Sequence, residues 1–329
     1  MPARITAVGS YPKPPHEGGE FRLRKTLQAL DHGEASIVDV HAAQDDLVKE
    51  VLAEQAEAGI ELVTDGQIRW DDGQTRYADG LEGFQTSGLL RYFDNNTYFR
   101  QPVVKDRVHR HGHIVLDEFL FAKEHSPAPV KPVLTGPYTL AALSVDEHYG
   151  DRAALLRDLA AALGEEARDL AEAGAEVIAF DEPALARIPG SPPGDLDAFA
   201  DAAPTLVEGV EAETVLQTYF GDVAEHGPGF FDLPFDVFGL DLVSGPANWE
   251  AIHEFPGGKR LQAGIVDARN TKVEGANELI ATIERLTEIV GPDRLWVSPS
   301  AGLEYLPREA ARSKCVRLAE AVAAYRRKR

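Results

Sequence analysis

Short apolar runs recur along the chain, and each gives way to a polar or Gly/Pro turn. They are Ile5–Ser10, Glu61–Gly66, Pro132–Gly136, Val177–Glu182, Thr214–Phe220, Val237–Leu242, Leu261–Asp267 and Leu295–Ser300. Most are continuous rather than alternating, the pattern of parallel strands covered on both faces. Between them lie longer stretches with helical spacing. Val40–Ala58 carries Val48, Val51 and Leu52 and stops at Gly59. Asp151–Ala173 places Leu155, Leu159, Leu163 and Leu170 on one stripe before Gly174. Ala276–Val290 and Pro307–Tyr325 complete the set. Eight apolar runs with intervening helices predict an α/β fold, a single (β/α)8 TIM barrel over residues 1–329. Gly80–Leu120 does not fit a plain barrel. It is aromatic-rich and shows no clear helix, and it reads as an antiparallel excursion inserted between the second and third strands.

Charge narrows the function. Thirty-three Lys and Arg face 54 Asp and Glu, a formal net charge of −21. Phosphate neutralisation needs clustered basic residues, so nucleic acid and anionic membranes are excluded as partners. The same excess also suits a high-salt cytoplasm, where surface carboxylates hold water and cations. The single cysteine, Cys315, excludes an intramolecular disulfide and a Cys-rich zinc module. The N-terminal residues show no apolar run behind a basic start, and no apolar stretch reaches the roughly 18 residues of a membrane span. The expectation is a cytoplasmic protein.

Barrels of this type carry their sites at the C-terminal ends of the strands. That rule selects Gly9, Ser10, Thr64, Asp65 and Gly136, then Asp181, Glu182, Thr218 and Tyr219. It also selects Asp241, Asp267, Arg269, Ser298 and Ser300. Carboxylates crowded at one mouth raise one another's pKa or call for a cationic ligand. Asp181-Glu182-Pro183 is the sharpest case: it reads either as a grip on a substrate ammonium group or as a helix cap. Asp65-Gly66 reads as a site or a turn, and Asp267-Ala268-Arg269-Asn270 as a site or an internal ion pair. His109, His111 and His113 alternate and would share one strand face, which reads better as a solvent-facing edge than as a metal site. Trp70, Tyr77, Tyr92, Phe93, Tyr98 and Phe99 either line a pocket or pack in the core. There is no Gly-rich phosphate loop and no Gly-x-Ser-x-Gly elbow, so NTPase and serine-hydrolase readings lose support.

Several of these segments together carry a family likeness. Val8-Gly9-Ser10-Tyr11-Pro12, Leu62-Val63-Thr64-Asp65-Gly66, Leu134-Thr135-Gly136-Pro137-Tyr138-Thr139 and Asp181-Glu182-Pro183-Ala184-Leu185 resemble the cobalamin-independent methionine synthase family. So do Gln217-Thr218-Tyr219-Phe220-Gly221-Asp222, Gly239-Leu240-Asp241-Leu242-Val243, Gly264-Ile265-Val266-Asp267-Ala268-Arg269-Asn270 and Ser298-Pro299-Ser300-Ala301-Gly302-Leu303. The matches run in family order over nearly the whole chain. The resemblance implies methyl transfer from a methylated folate to the thiol of homocysteine, which a zinc ion binds as thiolate. It implies that Gly9 and Ser10 meet the amino acid's carboxylate and that Asp181 holds its ammonium group.

The departures are as informative. The family's zinc-bearing barrel supplies His and Cys after the fifth strand, Glu after the sixth and Cys after the eighth. Here those positions offer Thr218-Tyr219-Phe220, Asp241 and Ala301, and Gln67 replaces an acidic position after the second strand. No cofactor is therefore evident. Tyr219-Phe220-Gly221-Asp222, Asp94-Asn95-Asn96-Thr97-Tyr98 and Val266-Asp267-Ala268-Arg269-Asn270 are closer to the non-catalytic amino-terminal barrel of the two-barrel enzymes. The expected substrate-binding set is Gly9, Ser10, Asp65, Gln67, Asp181, Glu182, Tyr219, Asp241, Asp267, Arg269 and Ser300, with no catalytic residue assigned. Three readings stand open. One is a methyltransferase of methionine biosynthesis, working as one subunit with a zinc-bearing partner barrel. A second is a binding barrel without chemistry of its own. A third is a relative turned to another reaction, such as decarboxylation.

Overall fold

The computed structural model describes residues 2–93, 95, 97–188 and 194–328, so Asp94 and Asn96 of the motif above lie outside the described residues. In chain order the elements begin with β1 (Arg4–Ile5), α1 (Arg22–Asp31), α2 (Ile37–Glu57) and α3 (Gly73–Gly80). A hairpin of β2 (Leu81–Arg91) and β3 (Tyr98–Arg110) follows, then α4 (Leu116–His125). Next come β4 (Val133–Thr135), α5 (Pro137–Leu143), β5 (Val145–Asp146), α6 (Arg152–Glu172) and β6 (Val177–Asp181). The chain continues through α7 (Leu196–Val207), β7 (Glu213–Gln217), β8 (Val237–Asp241) and α8 (Asn248–Ala251). It ends with β9 (Arg260–Val266), α9 (Ala276–Val290), β10 (Leu295–Pro299) and α10 (Arg308–Arg327).

The curled parallel sheet runs β1-β10-β9-β8-β7-β6-β4, the connectivity of a TIM-type barrel. Seven of the eight expected runs are strands in it. The other, Glu61–Gly66, is reduced to two bridges, Thr6–Leu62 and Val63–Val130. The Ala7 N–H donates to Leu62 O at 3.0 Å and the Lys131 N–H to Val63 O at 2.8 Å, so these pairs join β1 to the approach of β4. This strand stops early because Gly66 (φ +73°) and Gln67 (φ +54°) turn the chain aside.

The excursion is antiparallel, as expected, but it is not free of helix: α4 begins inside it at Leu116. Glu166 of α6 anchors that helix, accepting the Ile114, Val115 and Leu116 N–H groups at 2.9, 2.7 and 3.0 Å. The expected shared face of the three histidines does not form. Only His109 lies on β3; His111 and His113 follow it in an exposed turn, and His113 faces Asp169 at 3.3 Å. The helices missed in the sequence, α1, α3, α4, α5, α7 and α8, are 4–12 residues long, against 15–21 for those the spacing predicted.

Two cores result. Leu62, Val133, Val177, Ala179, Val215, Val237 and Trp296 form a compact cluster of their own, with residues from five strands of the ring. The larger core joins the outer face of the sheet to the helices, where Cys315 is buried and its thiol pushed up to about 12. At one side Arg308, with its side chain fully buried, donates to Glu54 at 3.0 Å. The same carboxylate accepts the Tyr11 hydroxyl at 2.6 Å, which ties α2 and α10 to the loop after β1. Removing one partner of a buried pair leaves the other charge uncompensated. Glu54→Gln is therefore expected to lower unfolding free energy by about 3 kcal/mol in urea titrations.

Candidate active site

The site grows out of the strand ends. After β1 the chain carries Gly9 and Ser10, and Thr64 fixes this turn by donating its hydroxyl to Gly9 O at 2.5 Å. A Cβ at Gly9 would lie 3.0 Å from Gln67 Nε2 and 3.7 Å from Asp181 Oδ2, so three of the expected residues converge. Gly302 clears space on the opposite side, because a Cβ there would fall on the Ser10 hydroxyl. These groups border a cavity of about 200 Å3 at the barrel mouth.

Asp181 is the centre of this cavity. It is 7% exposed, and its Oδ2 accepts the Tyr219 hydroxyl at 3.2 Å. Its Oδ1 is buried with no hydrogen-bond partner. Burial raises the Asp181 pKa to about 7, against the pull of the Lys131 charge and the Tyr219 hydroxyl. A buried carboxylate with one idle oxygen in a cavity is a receptor for a cation or a hydrogen-bond donor. Tyr219 also meets Tyr92 at 3.4 Å between hydroxyls. Glu304, exposed beside Tyr305 and Ser10, completes the rim, and crowding by the surrounding protein raises its carboxyl pKa.

Strained backbone gathers at this rim. Phe220 (φ +70°) and Phe93 (φ +50°) adopt a left-handed conformation uncommon for aromatic residues, as Gln67 does. Phe220 is held by its N–H donating to Asp241 Oδ2 at 3.0 Å. Its ring packs against Tyr219, Tyr305 and Tyr92, with centroids 4.6, 5.7 and 6.3 Å away.

The structure thus brings Gly9, Ser10, Gln67, Asp181 and Tyr219 to one cavity. It places the other expected site residues elsewhere. Glu182 turns sideways and caps α5, accepting the Tyr138 and Thr139 N–H groups at 2.8 and 2.7 Å and the Thr139 hydroxyl at 2.6 Å. Asp65 lies behind the cavity beside Trp70 and Glu118 and accepts the Gln67 N–H at 3.0 Å. Asp241 accepts three backbone N–H groups, those of Phe220, Val243 and Ser244, at 2.7–3.0 Å. Ser300 accepts the Ala268 N–H at 3.2 Å. Asp267 accepts the Arg269 N–H at 2.9 Å, so the alternative of an ion pair with that guanidinium gives way to a local turn. Arg269 instead lies over the Phe220 ring at 5.0 Å and reaches Ser244 at 3.1 Å. Sequence reasoning missed Lys13, Asp71, Asp72, Glu304 and Tyr305, which all line the cavity from loops after the strands. Of the aromatic candidates, Trp70, Tyr92 and Tyr98 line it, while Tyr77 and Phe99 are buried in packing.

The comparisons with known proteins agree with this architecture. Residues 3–325 match the family model described as the cobalamin-independent synthase catalytic domain. The chain belongs to the cobalamin-independent synthase family. It is 32% identical over 317 residues to a methionine synthase of Saccharolobus solfataricus, covering 96% of this chain and 92% of that protein. A methionine synthase of Sulfurisphaera tokodaii is 31% identical over 315 residues, with 95% and 89% covered. Among solved structures, the B12-independent methionine synthase of Shewanella sp. W3-18-1, in complex with selenomethionine, superposes with a TM-score of 0.84 at 21% identity. That match covers 100% of this chain and 99% of the other. A putative B12-independent methionine synthase of Listeria monocytogenes gives 0.74 at 19% identity, with 98% and 99% covered. The chain is thus methionine synthase-like over its whole barrel, and no helix is long and apolar enough to cross a membrane among the described residues.

Zinc, which the resemblance to the methionine synthase family implies, is a poor fit to the residues here. The Tyr219 hydroxyl bonds Asp181, both oxygens of Asp241 are taken by backbone N–H groups, and Ala301 has no donor atom. Among the described residues no three His, Cys, Asp or Glu side chains gather to hold a metal ion.

The site's pH dependence follows from Asp181. Its native pKa of about 7 lies above the ordinary 3.8, so the native state keeps a proton that the unfolded chain has released. This group favours folding most below its ordinary value, and that stability is lost as pH rises toward about 7. An ammonium ligand needs the anion. Its affinity is expected to rise between about pH 6 and pH 8, with proton release on binding, read by calorimetry in buffers of different ionisation enthalpy.

Proposed function

We propose that this barrel binds an amino acid in the mouth cavity and takes part in methionine biosynthesis as a methyltransferase of the homocysteine type. The observation that carries the reading is the idle Oδ1 of Asp181, buried opposite Gly9 and Ser10. A carboxylate is suited to the α-ammonium of an amino acid, and the Gly9-Ser10 turn to its carboxylate. Homocysteine and a methylated folate, or another methyl donor, are the substrates in this reading.

The same reading divides the work between chains. Thiol activation needs donors that Tyr219, Asp241 and Ala301 do not supply. A separate zinc-bearing barrel would supply them, with this chain as a cytoplasmic partner subunit of one barrel domain, although the family model it matches is that of the catalytic domain. A barrel that binds without contributing to turnover is the alternative, favoured by the same missing donors.

Asp181→Asn tests the pocket. It is expected to weaken amino-acid binding by about 3 kcal/mol, because the ammonium loses its charged partner. The variant is also expected to melt at a higher temperature, since a desolvated carboxyl is replaced by a neutral amide. Full activity of Asp181→Asn in a reconstituted pair would exclude this pocket. Stoichiometric zinc on the purified chain, or homocysteine methylation by the chain alone, would exclude the partner reading.

A further inference from the structure

The cavity holds more negative charge than one α-ammonium neutralises. Among the described residues four carboxylates line it, Asp71, Asp72, Asp181 and Glu304, against one ammonium, that of Lys13. Asp72 is committed to capping α3, accepting the Gln74 and Thr75 N–H groups at 2.8 and 2.7 Å. Asp181 answers the α-ammonium. Asp71 and Glu304 remain, with Lys13 donating to the Trp70 carbonyl between them. These two acids, both exposed at the mouth, outweigh the single Lys13 charge.

Five aromatic residues share the lining with small and polar ones: Trp70, Tyr92, Tyr98, Tyr219 and Tyr305. Most of the tyrosine hydroxyls are occupied with one another and with the carboxylates. Tyr219 bonds Asp181, Tyr92 meets Tyr219, and Tyr305 bonds Glu304. What these residues offer a ligand is therefore ring surface, which attracts a cation whose charge is spread over methyl groups. A metal site for a thiolate is not built here, and a polyanionic tail would meet the wrong sign of charge.

We infer that this cavity receives a methylated onium compound, a sulfonium or a quaternary ammonium, whose charged centre lies against the aromatic wall beside Glu304. The inference rests on the amino-acid pocket proposed above and names the class of methyl compound it takes. Asp181 Oδ1, buried, unpartnered and in the same cavity, marks it as a ligand site, and here it takes the α-ammonium of the onium amino acid.

The decisive experiment is isothermal calorimetry on the full chain with two probes of the same length. S-methylmethionine is a sulfonium amino acid; methionine is its neutral thioether counterpart. The sulfonium is expected to bind about tenfold more tightly, the range for a cation on a desolvated aromatic wall. Glu304→Gln should erase most of that preference, bringing the ratio of sulfonium to methionine affinity close to one. Tyr305→Phe, which keeps the ring, should retain the preference, and Tyr305→Leu should lose it. Equal affinity for the two probes would overturn the onium inference and leave the amino-acid pocket standing. No binding of either probe would overturn both.

Discussion

The molecule is organised around a buried charge on the axis of its barrel. The Lys131 ammonium sits inside the ring, 1% exposed, donating to Ala7 O at 2.6 Å and to the Thr6 hydroxyl at 3.1 Å. It also reaches Gln262 at 3.4 Å, and Gln262 donates onward to Gln217 at 2.5 Å and Ser298 at 3.3 Å. Barrel interiors are commonly filled by branched apolar layers. Here a polar plug joins the approach to β4 with β1, β7, β9 and β10. Burial drags the Lys131 pKa down to about 7, and Asp181 is the neighbouring charge that pulls it back up. The two groups thus hold each other near the point where either can change its charge. Lys131 and Asp181 act on each other through charge, which links the floor of the barrel to its mouth.

The acids at the strand ends are sorted by a single rule, the supply of backbone N–H groups. Glu182 meets the exposed amides at the start of α5, Asp241 those of its own turn and of Phe220, and Asp267 that of Arg269. Glu182 and Asp241 are satisfied on both oxygens, and Asp267 uses one of its two in a local turn. Asp181 alone of these keeps a buried oxygen with nothing to accept. The strained turns serve this outcome. Positive φ at Gln67 carries its amide over Gly9, and positive φ at Phe220 brings a ring among three tyrosines. The hydrogen bond from Phe220 to the committed Asp241 shows how a carboxylate without a ligand role still shapes the site.

The barrel was legible because its strands are continuous apolar runs, and such runs have few alternatives in a chain this long. Six of them match the observed strands to within a few residues at each end, from β4 to β10. The second run misled, since Glu61–Gly66 has the composition of a strand but its end is bent by Gly66 and Gln67. Asp181 was legible from its place before Glu182-Pro183. Which of the two acids faces the mouth follows from the pleat, but what Glu182 caps depends on α5, too short to show a period. Glu304, Tyr305 and Lys13 lie in loops beyond the strand ends, where no spacing rule applies and only the closed ring brings them together.

The arrangement separates holding a ligand from activating it. An ion pair made in water releases little free energy, because both charges surrender strong hydration. Asp181 has surrendered its hydration on folding, so the cost is already met by the core before a ligand arrives, and the interaction with an incoming ammonium is correspondingly strong. The raised pKa is the visible sign of that stored cost. A site built to activate a thiol would keep soft donors free at the same strand ends. Here those positions are filled by a tyrosine hydroxyl turned onto Asp181 and a carboxylate sealed by amides. The donors are committed to making the receptor rigid. In the proposed reading such a site recognises positive charge and shape, and thiol activation needs donors beyond those at these strand ends.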